Sequence, residues 1–197
     1  MTSPFEHASE SVADGVRSLT VNAQVALYAS AAQALMPAYR AWSRRAESPF
    51  HGDVLARAIE QAISFATGEA PTIEASLLRA VEASTPGDPS GSESFTAAQD
   101  CWILADTALR VGLGEFDAAD SAWYLLEPKF QATSERLVGV SDPGSVAQED
   151  AEAHALADPQ LSNAIGALRD VIGTLRERLP TRDLVATISS QLVALSP

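Results

Sequence analysis

Between Asp158-Pro159 and Pro180, apolar residues recur at alternating steps of four and three: Leu161, Ile165, Leu168, Ile172, Leu175 and Leu179. That spacing gathers them on one side of an α-helix and would scatter them over both faces of a strand. Asp158 can cap the first free backbone N–H groups, and Pro159 fits the first helical position, where its missing N–H costs nothing. Pro180 stops the helix. Thr181 caps the next one, which carries Leu184, Ile188, Leu192 and Leu195. The two should pair antiparallel across a very short turn. Gly166 and Gly173, two turns apart beside the stripe, read as a place where another helix comes close.

The same pattern fills the rest of the chain. Val21, Val25, Tyr28, Ala32 and Leu35 stripe a helix that Pro37 ends, or restarts as a short helix with Tyr39 and Trp42. Exposure of either aromatic would point to an interface. Asp53 caps a helix with Leu55, Ile59, Ala62, Ile63 and Ala66 inward, closed by Gly68; a shorter one uses Ile73, Leu77, Leu78 and Val81. Residues 85–93, rich in Pro, Gly and Ser, form a flexible loop.

From a Ser94 cap, the next helix has two apolar stripes: Phe95, Ala98, Trp102, Ala105 and Leu109, then Cys101, Leu104, Ala108 and Val111. Two faces need neighbours on both sides, so this helix is expected at the centre. Asp106 and Arg110 can pair at i,i+4 on its polar strip. Asp117 caps a long helix with Ala119, Trp123, Leu126, Phe130 and Leu137 inward; Pro128 kinks it or marks two helices meeting. The prediction is an all-α, single-domain multi-helix bundle of about eight to nine helices joined mostly by short turns, over residues 1–197. Residues 1–17, with Phe5, Val12 and Val16 at helical spacing, form a peripheral helix that packs on the core or reaches a partner.

Composition narrows the functions. The formal net charge is −13, from 26 acidic and 13 basic side chains. Such a surplus repels nucleic-acid phosphates and anionic lipids, so neither nucleic acid nor membrane is expected as a partner. It suits a basic protein, and it also serves plain solubility. No apolar run approaches the ~20 residues that span a bilayer, and no signal peptide is visible. The single cysteine, Cys101, cannot form an internal disulfide, which fits a cytoplasmic location.

Residues that could carry chemistry are sparse. Gly87 and Gly91 precede a helix but follow no strand and have no lysine beside them, so they do not make a phosphate loop. None of His7, His51 and His154 lies in a triad motif, and Cys101, between apolar positions and next to Trp102, reads as an inert buried thiol. Asp150 and His154 at i,i+4, with Glu149 and Asp158 near, are the weak metal-ligand candidates. A solvated acidic face explains the same letters, so no metal and no cofactor is expected. Arg40, Arg44 and Arg45, with Arg57 downstream, are the one basic cluster, suited to an acidic partner or to local ion pairs.

Several motifs resemble a known family. Leu35-Met36-Pro37-Ala38-Tyr39 followed by Trp42 is similar to its Pro-Asn-Tyr helix end, with Ala38 in place of the asparagine. Phe50-His51-Gly52-Asp53 is similar to its Phe-Gly-Asp, Gln99-Asp100-Cys101 to its Asp-Ala-Cys, and Asp158-Pro159 to an acidic segment with Asn-Pro. The chain thus resembles, from about Leu19 to Arg178, the YjaG-like family of all-helical bacterial proteins (domain of unknown function 416). The resemblance implies an all-α fold and leans towards a binding role linked to signalling. It transfers no catalytic residue.

The functional expectation is a non-catalytic cytoplasmic protein that binds another, basic protein, as a regulatory adaptor or an immunity-type inhibitor. Its expected contact surface is Glu149, Asp150 and Glu152, with Arg40, Arg44 and Arg45 second; a homo-oligomer is compatible with it. The competing expectation is a metal-dependent enzyme or a small-molecule sensor with its site between helices.

Overall fold

Side-chain caps start three helices where the sequence places them, while Asp53 and Ser94, expected as caps, lie inside helices that begin at Gly52 and Glu93. The Asp158 carboxylate accepts the N–H groups of Gln160 and Leu161 at 2.9 and 3.3 Å. Thr181 accepts that of Leu184 at 3.2 Å, and Asp117 that of Ala119 at 2.9 Å. The computed structural model describes residues 4–45, 52–84, 93–138 and 154–193. These form α1 (Pro4–Arg17), α2 (Val21–Arg45), α3 (Gly52–Ala66), α4 (Ala75–Glu82), α5 (Glu93–Leu113), a 3-10 helix (Ala118–Leu125), α6 (Glu127–Val138), α7 (Pro159–Glu177) and α8 (Arg182–Leu192). A single helical turn at 154–157 precedes α7. There is no strand among the described residues, and none of their helices is long and apolar enough to cross a membrane.

The chain is an all-α bundle around one continuous hydrophobic core that runs from Val12 in α1 to Leu192 in α8. α2 shares the centre with α5. Every residue from Val25 to Ala32 is buried, and α2 packs on α3, α5, α7 and α8. The two-stripe pattern of α5 is real, but α2 needs no stripe because it is enclosed on all sides over these two turns. One bond sets its register with α5 and another ties it to the 3-10 helix. The Cys101 thiol donates to the Ala32 carbonyl at 3.3 Å, and the Tyr28 hydroxyl donates to the Ala118 carbonyl at 2.6 Å.

Several expectations are corrected. Pro37 neither ends nor restarts α2, which is helical from Val21 to Arg45 with this proline on its exposed side. Tyr39 and Trp42 are core residues with ring centroids 5.8 Å apart, so neither offers an interface. α7 ends at Glu177 and Arg178 turns extended, which throws Leu179 out to 82% exposure. Val21, at the start of its stripe, is also exposed. Gly166 and Gly173 mark no close approach: a Cβ at either meets nothing described within 4 Å. The tight glycine is Gly112, where a Cβ would run into Ile73 Cδ1.

The long helix expected after Asp117 is two. Pro128 sits in the first turn of α6, and the segment before it is a 3-10 helix. With three residues per turn, positions i and i+3 eclipse. Ala119, Ala122 and Leu125 form the buried row, while Asp120 and Trp123 share the exposed one. Trp123 is thus turned out of the stripe that an α-helical period assigns it. α1 packs on the bundle through buried Val12 and Val16, and its Phe5 ring stacks on Phe130 at 4.0 Å. The loop at 85–93 falls, apart from Glu93, outside the described residues, as do the 46–51, 139–153 and terminal segments.

Candidate functional site

A groove of about 290 Å³ lies between α5 and the 3-10 helix. Its α5 side is two adjacent helical rows, Trp102–Asp106–Arg110 and Ile103–Thr107, at the i,i+4 spacing that stacks side chains on one face. Gly114 makes the next step possible. It ends α5 at φ +73°, a conformation that only glycine adopts without strain. The Gly114 N–H bonds to the Val111 carbonyl and that of Glu115 to the Arg110 carbonyl, so the chain folds back on its own last turn. Phe116 thereby reaches the groove, and Ser121 and Tyr124 close the far wall. The Tyr28–Ala118 bond ties that wall to α2.

Charge is organised around Arg110. Its Nε donates to Asp106 Oδ2 at 2.7 Å, one Nη donates to Glu82 on α4, and the other lies 3.8 Å from Glu115. The sequence shows the i,i+4 half of this node; Glu82 and Glu115 arrive only through the fold. Burial pushes the Asp106 carboxyl up from its usual range, Arg110 works the other way, and Glu82 and Glu115 add to the rise. Carboxylates outnumber the cation here. Asp117 and Asp120, both exposed, extend the acidic rim beside Phe116 and Ser121.

Aromatic rings supply the rest. The Trp102 indole N–H donates to the Val81 carbonyl at 2.8 Å, which fixes the ring against α4. Phe116 is 40% exposed and Trp123 36%, the latter with its ring 3.8 Å from that of Tyr124. Burial raises the Tyr124 hydroxyl, helped by Glu127 and Asp100. Asp100, one α5 turn before Ile103, is only 3% exposed and its Oδ2 meets no hydrogen-bond partner among the described residues. Burial, with the Glu127 carboxylate, pushes its carboxyl up to about 7.

The residues proposed from sequence are differently placed. Arg40 and Arg44 are exposed on one face of the last turns of α2, with the Arg44 Nε on the Arg40 carbonyl at 3.1 Å. Arg45 ends that helix, and its side chain lies outside the described residues, as do Glu149, Asp150 and Glu152 entirely. Arg57 lines a second, open groove of about 670 Å³ between α3 and α4, among Asp53, Glu60 and Glu74 and without an aromatic ring. His154 is exposed on the turn before α7. No group of three His, Cys, Asp or Glu among the described residues could hold a metal. Burial holds the Cys101 thiol protonated, well above its ordinary range, with Asp100 adding to the effect and Arg40 opposing it. An inert thiol is what such a setting gives. The aromatic groove itself escaped sequence reasoning, although Trp102, Asp106 and Arg110 at i,i+4 were its legible edge.

The fold and groove define an all-α bundle with an acidic, aromatic-lined cleft and no assembled catalytic set among the described residues. No family model matches this chain, and neither does any curated protein. Its fold is similar to the crystal structure of a DUF416-family protein from Shewanella baltica OS155, with a TM-score of 0.70 over 92% of each chain at 16% identity. At that identity the likeness is one of fold, and it agrees with the family whose motifs the sequence resembles.

Proposed function

We propose that this protein is a non-catalytic cytoplasmic binding protein whose partner is a basic protein, met at the groove between α5 and the 3-10 helix. One observation carries the reading: exposed Phe116 and Trp123 stand beside a carboxylate surplus formed by Glu82, Asp106, Glu115, Asp117 and Asp120 around Arg110, the one cation among the described residues of the groove. Aromatic anchors in a desolvated patch supply most interface energy, and complementary charge speeds encounter and selects the partner. The −13 net charge favours a basic partner over the whole surface, and the groove gives that preference a place to act. A regulatory adaptor or an inhibitor that covers a basic toxin would both work in this way.

The test is native mass spectrometry of the protein taken from its own cells at natural abundance, beside the double variant Phe116→Ala/Trp123→Ala. A stoichiometric basic protein on the wild type, lost from the variant and weakened by salt, is the expected result. A partner retained in full by the variant would remove the groove from the reading. A partner that is acidic, or bound equally at low and high salt, would remove its electrostatic basis.

A further inference from the structure

Resting on the basic-partner reading, we infer that the groove is a receptor for one arginine side chain of that partner, its guanidinium held against Trp102, Phe116 and Tyr124 beside the Asp106 carboxylate. Volume sets the scale. At about 290 Å³ the groove falls just below the ~300–1,000 Å³ range of small-molecule sites, and one long side chain is a better match than a whole ligand.

The hydrogen-bonding groups then set the sign of the guest. The Trp102 N–H is spent on Val81, and the Arg110 guanidinium is engaged by Asp106 and Glu82 with Glu115 near. One Arg110 Nη makes no hydrogen bond among the described residues, 3.8 Å from Glu115, but three carboxylates stand around this one cation, so the groove as a whole favours a positive guest. Asp106 Oδ1 is buried without a hydrogen-bond partner among the described residues and has no accessible surface, so a guest meets this carboxylate through its charge and not through that atom.

Aromatic faces attract cations through the ring quadrupole, and half-buried Trp102 and Tyr124 line the groove with exposed Phe116. Arg110 does not repel a second cation here, because the carboxylates gathered on it exceed its charge. Between the two basic side chains, arginine fits better. Its guanidinium is planar, stacks on rings and is more weakly hydrated than an ammonium, so it loses less on entering a cleft.

The experiment titrates full-length protein, labelled with nitrogen-15, with Nα-acetyl-arginine amide, its lysine analogue and its neutral citrulline analogue. The expected result is saturable binding of the arginine amide, seen as shifts of the Trp102 indole and of backbone signals around Ser121 and Tyr124. Citrulline amide should bind about tenfold more weakly or not at all, and lysine amide should fall between. Phe116→Leu, which keeps apolar bulk at an exposed position and removes the ring, should weaken arginine about tenfold, and Asp106→Asn should do the same. Citrulline binding as tight as arginine, shifts confined to another face, or no shift at all overturns the proposal. If the arginine amide fails while Phe116→Ala/Trp123→Ala still loses a native basic partner, the partner reading stands and the single-side-chain receptor falls. If it binds while no partner depends on those rings, the reverse holds.

Discussion

Arg110 and Asp106, one turn apart on α5, meet at 2.7 Å, and the same guanidinium crosses to Glu82 on α4. A pair that is merely helical in sequence is therefore a tie between two helices. Asp106 has only 14% of its side chain exposed and Arg110 30%, so solvent screens the pair less than it would a surface bridge.

Removing one partner of such a pair should cost more than removing both. Arg110→Ala leaves the Asp106 carboxylate half-sheltered and beside Glu82 and Glu115 without a counter-charge, and should destabilise by about 1–3 kcal/mol at pH 7. Asp106→Asn/Arg110→Ala should recover part of that loss. Urea unfolding of the single and double variants measures the coupling; strictly additive losses would mean that the contact is not energetic.

Asp100 makes stability fall as pH rises. An unfolded aspartic acid ionises near 4, and this one holds its proton to about 7 in the fold because burial and Glu127 disfavour the charge. Between those values the native state carries a proton that the unfolded chain has lost. This group's contribution to stability is thus full below about pH 4, declines across the window and is flat above about 7. Asp100→Asn imitates the protonated acid, so at pH 8 it should be more stable than the wild type by something on the order of 2–4 kcal/mol, with the two converging towards pH 4. Thermal melts from pH 4 to 8 decide it. Parallel curves for the two proteins would show that the carboxyl titrates normally.

The glycines separate helix propensity from packing. Gly166→Ala and Gly173→Ala put a methyl where nothing described lies within 4 Å, and each should stabilise by about 0.5–1 kcal/mol through lower backbone entropy of the unfolded chain and better helix propensity. Gly112→Ala gains the same propensity, but its methyl must displace the buried Ile73 side chain with Phe65 behind it, so no net stabilisation should appear. Denaturation midpoints of the three variants provide the comparison. A stabilising Gly112→Ala would mean that Ile73 swings aside freely.

Local signals made most of the bundle legible. Asp158, Thr181 and Asp117 announce helix starts because a cap acts within three residues. The stripes of α3 and α7 held because those helices bury one face only. Legibility failed where the period changed or the helix ended: Trp123 left its stripe when the chain adopted three residues per turn, and Leu179 left it one residue past the cap. Pro37 misled because its ring points to solvent on a face of α2 shared with exposed Gln33, Arg40 and Arg44, while the packing of the other faces outweighs the lost hydrogen bond. The groove was hidden for another reason. It takes α4, α5, the Gly114 turn and the 3-10 helix to bring Glu82, Trp102, Phe116 and Tyr124 together, and no spacing in the sequence encodes that meeting.

Tyr28 is the remote support of that meeting. Its hydroxyl is fully buried and donates to the Ala118 carbonyl at 2.6 Å, and burial, with Asp117 and Asp120, keeps it protonated far beyond its ordinary range. Tyr28→Phe keeps the ring and leaves a buried carbonyl without its donor, at a cost of about 1–3 kcal/mol. The loss should be local as well as global, because the bond pins the first turn of the 3-10 helix that carries Ser121 and Tyr124. Hydrogen exchange should therefore quicken at residues 118–125 more than in α3 or α7. Uniform acceleration across the bundle would mean that Tyr28 stabilises the core as a whole and leaves the groove wall no looser than the rest.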